Sequence, residues 1–131
     1  MSADETVPGL GYTLFAILAG PRPRIGTPSP ADLDAVRDVA GGFAADGVTL
    51  RGFYDVTGMR AEADLMIWLH GEDPAALQKA LRQLRRTAAL ASFVNVWSAM
   101  GVHREAEFNK RHVPGYLRGE HARGWLCLYP F

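Results

Sequence analysis

The side chains in this sequence best suited to chemistry are four histidines, a tyrosine and a cysteine. The histidines are His70, His103, His112 and His121. No two have HxxxH spacing and no CxxC occurs, so a zinc site is not expected. His70 and His103 end apolar runs, where a structural or solvated ring is the plainer reading. His121 lies in a polar stretch and reads as solvated. His112 stands in Asn109-Lys110-Arg111-His112-Val113-Pro114, a basic run inside a long connection. Long connections beside a sheet often carry site residues. A neutral imidazole near pH 7 can take a proton from a small substrate. A solvated basic loop is the alternative.

Tyr129 belongs to Leu126-Cys127-Leu128-Tyr129-Pro130-Phe131. On an apolar strand a tyrosine is usually core, with its hydroxyl bonded nearby. Beside a redox centre the same phenol can release one electron and one proton. The local sequence leaves both readings open. Cys127 lies two residues earlier and reads as a packing residue, since no basic neighbour lowers its pKa. There is no GxGxxG, no Walker loop and no GxSxG elbow, so dinucleotide, P-loop and α/β-hydrolase chemistry have no support.

The elements that must position these residues follow from periodicity and turn chemistry. Residues 1–10 form a polar, flexible tail, and 11–131 form one domain. Gly11 to Gly20 reads as a first strand. Pro21 to Pro30, with four prolines, is a loop. Ser29 N-caps a first helix, with Pro30 at its first position and Asp32 in its first turn. Leu33, Val36, Ala40 and Phe43 form its apolar stripe, and Gly47 ends it. Val48 to Val56 and Ala63 to His70 are a second and a third strand. Asp73 caps a second helix that starts at Pro74, with a stripe of Leu77, Leu81, Leu84, Ala88 and Ala91. Val94 to His103 is a fourth strand, Glu105 to Arg123 a long connection, and Gly124 to Phe131 a fifth strand. This order predicts an α+β, ferredoxin-like split βαβ fold, with an antiparallel sheet and two helices on one face. The strands are apolar on both faces, as in Leu65-Met66-Ile67-Trp68-Leu69. Two helices cover one face only, so the other must meet a second sheet, another subunit or a large apolar ligand.

Composition sets the outer limits. The 131 residues are 48% apolar and 21% charged, which suits one globular domain and excludes a disordered or fibrous chain. The 14 basic and 14 acidic residues cancel, so no nucleic-acid partner is expected. The longest apolar run, Tyr12 to Ala19, is far short of the ~20 residues of a membrane span. One cysteine and no evident secretory leader give the expectation of a cytoplasmic protein.

Four segments taken together carry a resemblance. They are Asp46-Gly-Val-Thr-Leu-Arg-Gly-Phe-Tyr-Asp-Val56, Ala61-Glu-Ala-Asp-Leu-Met-Ile-Trp68, Glu107-Phe-Asn-Lys-Arg-His-Val-Pro114 and Cys127-Leu-Tyr-Pro-Phe131. In order and spacing they resemble the actinobacterial HemQ-type coproheme decarboxylases of the chlorite dismutase-like superfamily. The resemblance implies hydrogen-peroxide-dependent conversion of coproheme (iron coproporphyrin III) to haem b, with two propionates becoming vinyls. It implies that Tyr129 is the radical tyrosine beside the reacting propionate, and that His112 is the base that deprotonates peroxide. It assigns no other cofactor-binding residue and no metal ligand. Family members carry two ferredoxin-like units in tandem in an αβ-barrel arrangement and assemble as pentamers. The segments above match the first unit, so the expectation is an enzyme half that pairs with a second ferredoxin-like unit or forms a homo-oligomer. The competing expectations are a non-catalytic ferredoxin-like dimerisation module and a cofactor-independent αβ-barrel monooxygenase.

Overall fold

A computed structural model describes residues 11–23, 26–104 and 113–130. The 1–10 tail, His112 with the run before it, and Phe131 lie outside the described residues.

Four strands and two helices alternate in the expected order: β1 Tyr12–Ala19, α1 Pro30–Gly41, β2 Val48–Asp55, β3 Leu65–Gly71, α2 Pro74–Arg85 and β4 Val94–Val102. The strands form one antiparallel sheet in the order β2-β3-β1-β4. That is the ferredoxin-like topology, in which each crossover helix returns the chain to the sheet.

Local chemistry explains the helix starts. The Ser29 hydroxyl accepts from Asp32 N at 3.2 Å, while the Asp32 carboxylate accepts from Ser29 N at 3.0 Å. This capping box satisfies two otherwise unpaired groups. Those Ser29 bonds, the backbone one first, hold the Asp32 carboxyl below its ordinary pKa. Asp73 caps α2 by accepting from Ala75 N at 2.9 Å. Each helix has proline at its first position, where the missing N–H costs nothing.

Both helix ends differ from expectation. The first helix was expected to run through Phe43 to Gly47, but α1 stops at Gly41 and a separate 3-10 turn, Phe43–Asp46, seats Phe43 in the core before Gly47. The α2 stripe was expected to reach Ala88 and Ala91, but the helix stops at Arg85 and both alanines are exposed. The Thr87 hydroxyl donates to Leu84 O at 2.6 Å, and Leu90 N and Ala91 N both donate to Thr87 O. This second turn seats Leu90 in the core, which a straight helix could not do.

The core lies between the sheet and the helices. It joins Leu14, Ala16 and Leu18 of β1 to Ile67 and Leu69 of β3, Val48 of β2, Phe43, Leu90, and Leu77, Ala80 and Leu84 of α2. No residue of α1 is fully buried; Val36, Val39 and Ala40 pack on the core from outside. The opposite sheet face carries Thr13, Phe15 and Ile17 of β1 opposite His70, Trp68 and Met66 of β3. It is covered by no helix, so the apolar second face expected from the strands is present.

One strand is corrected. Gly124 to Phe131 was expected as a fifth strand, but 124–130 pairs with no strand among the described residues. The alternating apolar residues encode an extended chain. A strand also needs a partner edge, and none of the described strands provides it.

Candidate functional site

The helix-free sheet face is built around Trp68. Its indole Nε1 donates to the Thr13 hydroxyl at 2.6 Å, which fixes the ring across β1 and β3. Phe15 stacks on it with centroids 5.2 Å apart. Tyr116 meets it edge-on at 5.7 Å and lies 4.9 Å from the His70 ring. These are ordinary attractive aromatic separations.

Arg51 reaches the same face because of a bulge. The β2–β3 register shifts between Leu50, which faces Leu69, and Gly52, which faces Trp68. The extra residue is Arg51, re-aimed as bulged residues are. Its guanidinium carbon lies 5.2 Å from the Trp68 ring centre, a cation–π contact. A Cβ at Gly52 would sit 3.1 Å from the Tyr54 ring, so a larger residue there needs that ring to give way.

The long connection contributes an ordered turn over this face. Leu117 N and Arg118 N donate to Pro114 O, and Glu120 N donates to Gly115 O. Gly119 supplies the left-handed conformation, with φ of 76°. Arg118 pairs with the Glu120 carboxylate, and Arg51 Nη1 donates to Glu120 O at 2.5 Å. A cavity of about 450 Å³ lies between this turn and β2, lined by Leu50, Arg51, His70, Tyr116 and Glu120 among others.

Burial, and then the Arg51 charge, push the His70 imidazole down to about 4, so the ring is neutral near pH 7. Burial also raises the Tyr116 phenol. His70 Nε2 and Arg51 Nε are buried and bond to nothing among the described residues. The sequence alone reads His70 as a structural or solvated ring and marks neither Arg51 nor Tyr116. The available signal was Tyr116 set between two glycines in Gly115-Tyr-Leu-Arg-Gly119. A second cavity of about 400 Å³, between the β1–α1 loop and residues 88–93, has Asp32 as its one titratable lining group among the described residues. That carboxylate is already engaged by Ser29.

Tyr129 is elsewhere. It lies in the extended 124–130 segment with 70% of its surface exposed, near Trp125 at 91%. Tyr129 is therefore not part of the core that the described residues form. Cys127 is exposed too, so its expected packing role is not fulfilled there. His103 is half-buried and His121 exposed. No three of His, Cys, Asp and Glu among the described residues converge to hold a metal ion. No helix among them is long and apolar enough to cross a membrane.

A profile of the chlorite dismutase family matches residues 31–131. The chain belongs to the chlorite dismutase family. Coproheme decarboxylase of Mycolicibacterium smegmatis is 40% identical to it over 129 residues, which cover 98% of this chain and 54% of that protein. Among solved structures, chlorite dismutase of Candidatus Nitrospira defluvii in complex with imidazole superposes with a TM-score of 0.62 at 18% identity. That alignment covers 83% of this chain and 46% of the other. A mutant of the same enzyme in complex with cyanide gives 0.61 at 19% identity, covering 75% and 41%. At such identities these structures bear on the fold alone, which they share. The chain spans about half the length of the relatives it matches.

Proposed function

We propose that this chain takes part in the oxidative decarboxylation of coproheme to haem b, with hydrogen peroxide as oxidant. The observation that carries this reading is the 40% identity to a coproheme decarboxylase across nearly the whole chain. The exposed phenol of Tyr129 is compatible with it, because a residue that takes hydrogen from a propionate must be reachable. For each propionate the balance is one carboxylic side chain plus one peroxide giving one vinyl, one carbon dioxide and two waters.

Coproheme supplies the redox centre when bound. The described residues fit its periphery: Trp125 and Tyr129 offer exposed aromatic surface for a flat macrocycle. They present no converging ligand set for its iron. In this reading Tyr129 gives up its phenolic hydrogen as one electron and one proton. It then regains a hydrogen atom from the propionate β-carbon, and that side chain loses carbon dioxide and a second electron to become vinyl. His112 takes a proton from peroxide and can return it to the departing oxygen. The chain works with a second ferredoxin-like unit or in a homo-oligomer. The test is incubation with coproheme and peroxide, following the monovinyl product and haem b by mass. Turnover that needs a second unit to be supplied supports the reading; no turnover with or without it overturns the reading.

A second reading has its own observation. No helix covers the Trp68 face, and β4 exposes Val94, Val96, Trp97, Met100 and Val102 without one charged residue along the strand. A non-catalytic association module would show this surface as well. It predicts a stable oligomer without haem and no Soret band on titration with coproheme.

A further inference from the structure

The connection between β4 and the Tyr129 segment is tied to the sheet at three points. Leu117 packs on Gly11, where any Cβ would sit 2.7 Å from Leu117 Cδ2. Gly11 O also accepts from His103 N at 2.7 Å, so the end of β4 and the turn meet at one residue. Tyr116 lies on Trp68 and His70. Arg51 reaches from the β2 bulge, covers Trp68 with its guanidinium and donates to Glu120 O, the last carbonyl of the turn.

We propose that residues 113–120 are a strap latched to the open sheet face, and that Arg51 and Tyr116 are positioning residues that fix where the chain departs toward Tyr129. The role in catalysis rests on the reading of Tyr129 given above; the latch itself does not. In sequence the strap lies between His112 and Tyr129, the two residues assigned to the reaction. A turn loose at Glu120 would let the extended 121–130 segment swing, since no strand pairing holds that segment among the described residues. Arg51 Nε and His70 Nε2 are buried without partners among the described residues, and their desolvation opposes closure of the strap. The charged and titratable groups facing His70 are Arg51 from β2, and Tyr116, Glu120 and His121 from the strap and the chain after it.

The test is hydrogen exchange on the full chain, read by mass in residues 117–120, whose amides are hydrogen-bonded, and, as a control, in β1 and β3. Arg51→Met and Tyr116→Ala should each raise exchange across 117–120 at least ~10-fold, with β1 and β3 unchanged. Arg51→Lys, which can still donate to Glu120 O, and Tyr116→Phe, which keeps the ring, should stay near the parent. Unchanged exchange in both disruptive variants overturns the latch. A nitroxide on Cys127, the single cysteine and an exposed one, reports the 121–130 segment and should gain mobility in the same two variants; unchanged mobility overturns the positioning role. If Arg51→Met also loosens β1 and β3, Tyr116→Ala decides, because its side chain belongs to the strap and not to the sheet. In an assembly that turns coproheme over, the same variants should lower kcat with little change in KM. Parent protein that never turns over counts against the Tyr129 assignment, while the exchange result stands.

Discussion

At the scale of residues, Tyr129 and His70 behave in opposite ways. Tyr129 is exposed, so replacing it does not disturb the core. Tyr129→Phe should abolish decarboxylation in an active assembly and leave coproheme affinity within about twofold by Soret titration. Equal turnover in the variant refutes the radical assignment. His112→Ala should slow the step that consumes peroxide, with a defect that shrinks at alkaline pH, where peroxide ionises unaided; a pH-independent defect refutes the base role. His70 is held near 4 in the folded chain, against an ordinary 6.5. Between those values the unfolded chain binds more protons, so stability tied to His70 is full above the ordinary value and is lost as pH falls through the folded one. The ring is only half-buried, so solvent screening reduces the effect to about 1–2 kcal/mol. Urea midpoints at about pH 7 and about pH 4.5 should differ less in His70→Gln than in the parent. An identical difference in both proteins removes His70 as the source.

At the scale of elements, the two helices are unequal. Leu77, Ala80 and Leu84 of α2 are fully buried, whereas α1 buries nothing completely and leaves Leu33 42% exposed. Leu84→Ala should therefore cost ~2–5 kcal/mol and Leu33→Ala less than about 1 kcal/mol by urea denaturation. Comparable losses would mean that α1 bears on the core more than its exposure indicates. Both helix starts were legible in the sequence, because Ser29-Pro30 and Asp73-Pro74 place a capping side chain and a missing N–H where a helix needs them. The end of α2 was not. The apolar stripe continues through Ala88 and Ala91, while a long-range demand, seating Leu90 in the core, turns the chain earlier. The bulge at Arg51 was also hidden, since a register shift is a property of a strand pair.

At the scale of the molecule, β2 and β4 are the sheet edges among the described residues, and the strap, not a helix, lies over part of the second sheet face. The β2 edge carries Arg51 and Asp55, while β4 runs Val94-Asn-Val-Trp-Ser-Ala-Met-Gly-Val102 with no charge and no proline. Such an edge is unprotected against pairing. If this surface is the association surface, the chain should sediment as an oligomer, and Val96→Lys, at the β4 irregularity, should shift it toward monomer without lowering its thermal midpoint. An unchanged sedimentation profile places the contact elsewhere. The same open surface accounts for strands that are apolar on both sides.

Periodicity, capping chemistry and motifs a few residues long carried the first four strands, both helix starts and the family, because all of these are local in the chain; the expected fifth strand failed because strand pairing is not. The sequence also set apart Tyr129, but as either a core or a reactive phenol. The tertiary structure leaves Tyr129 exposed, in a segment outside the described strands. It alone brought together Arg51, Trp68, His70 and Tyr116, which three separate stretches of chain contribute. Their meeting depends on one bulge, one antiparallel register and one turn closed over the sheet, and no local pattern of residue types encodes such long-range contacts.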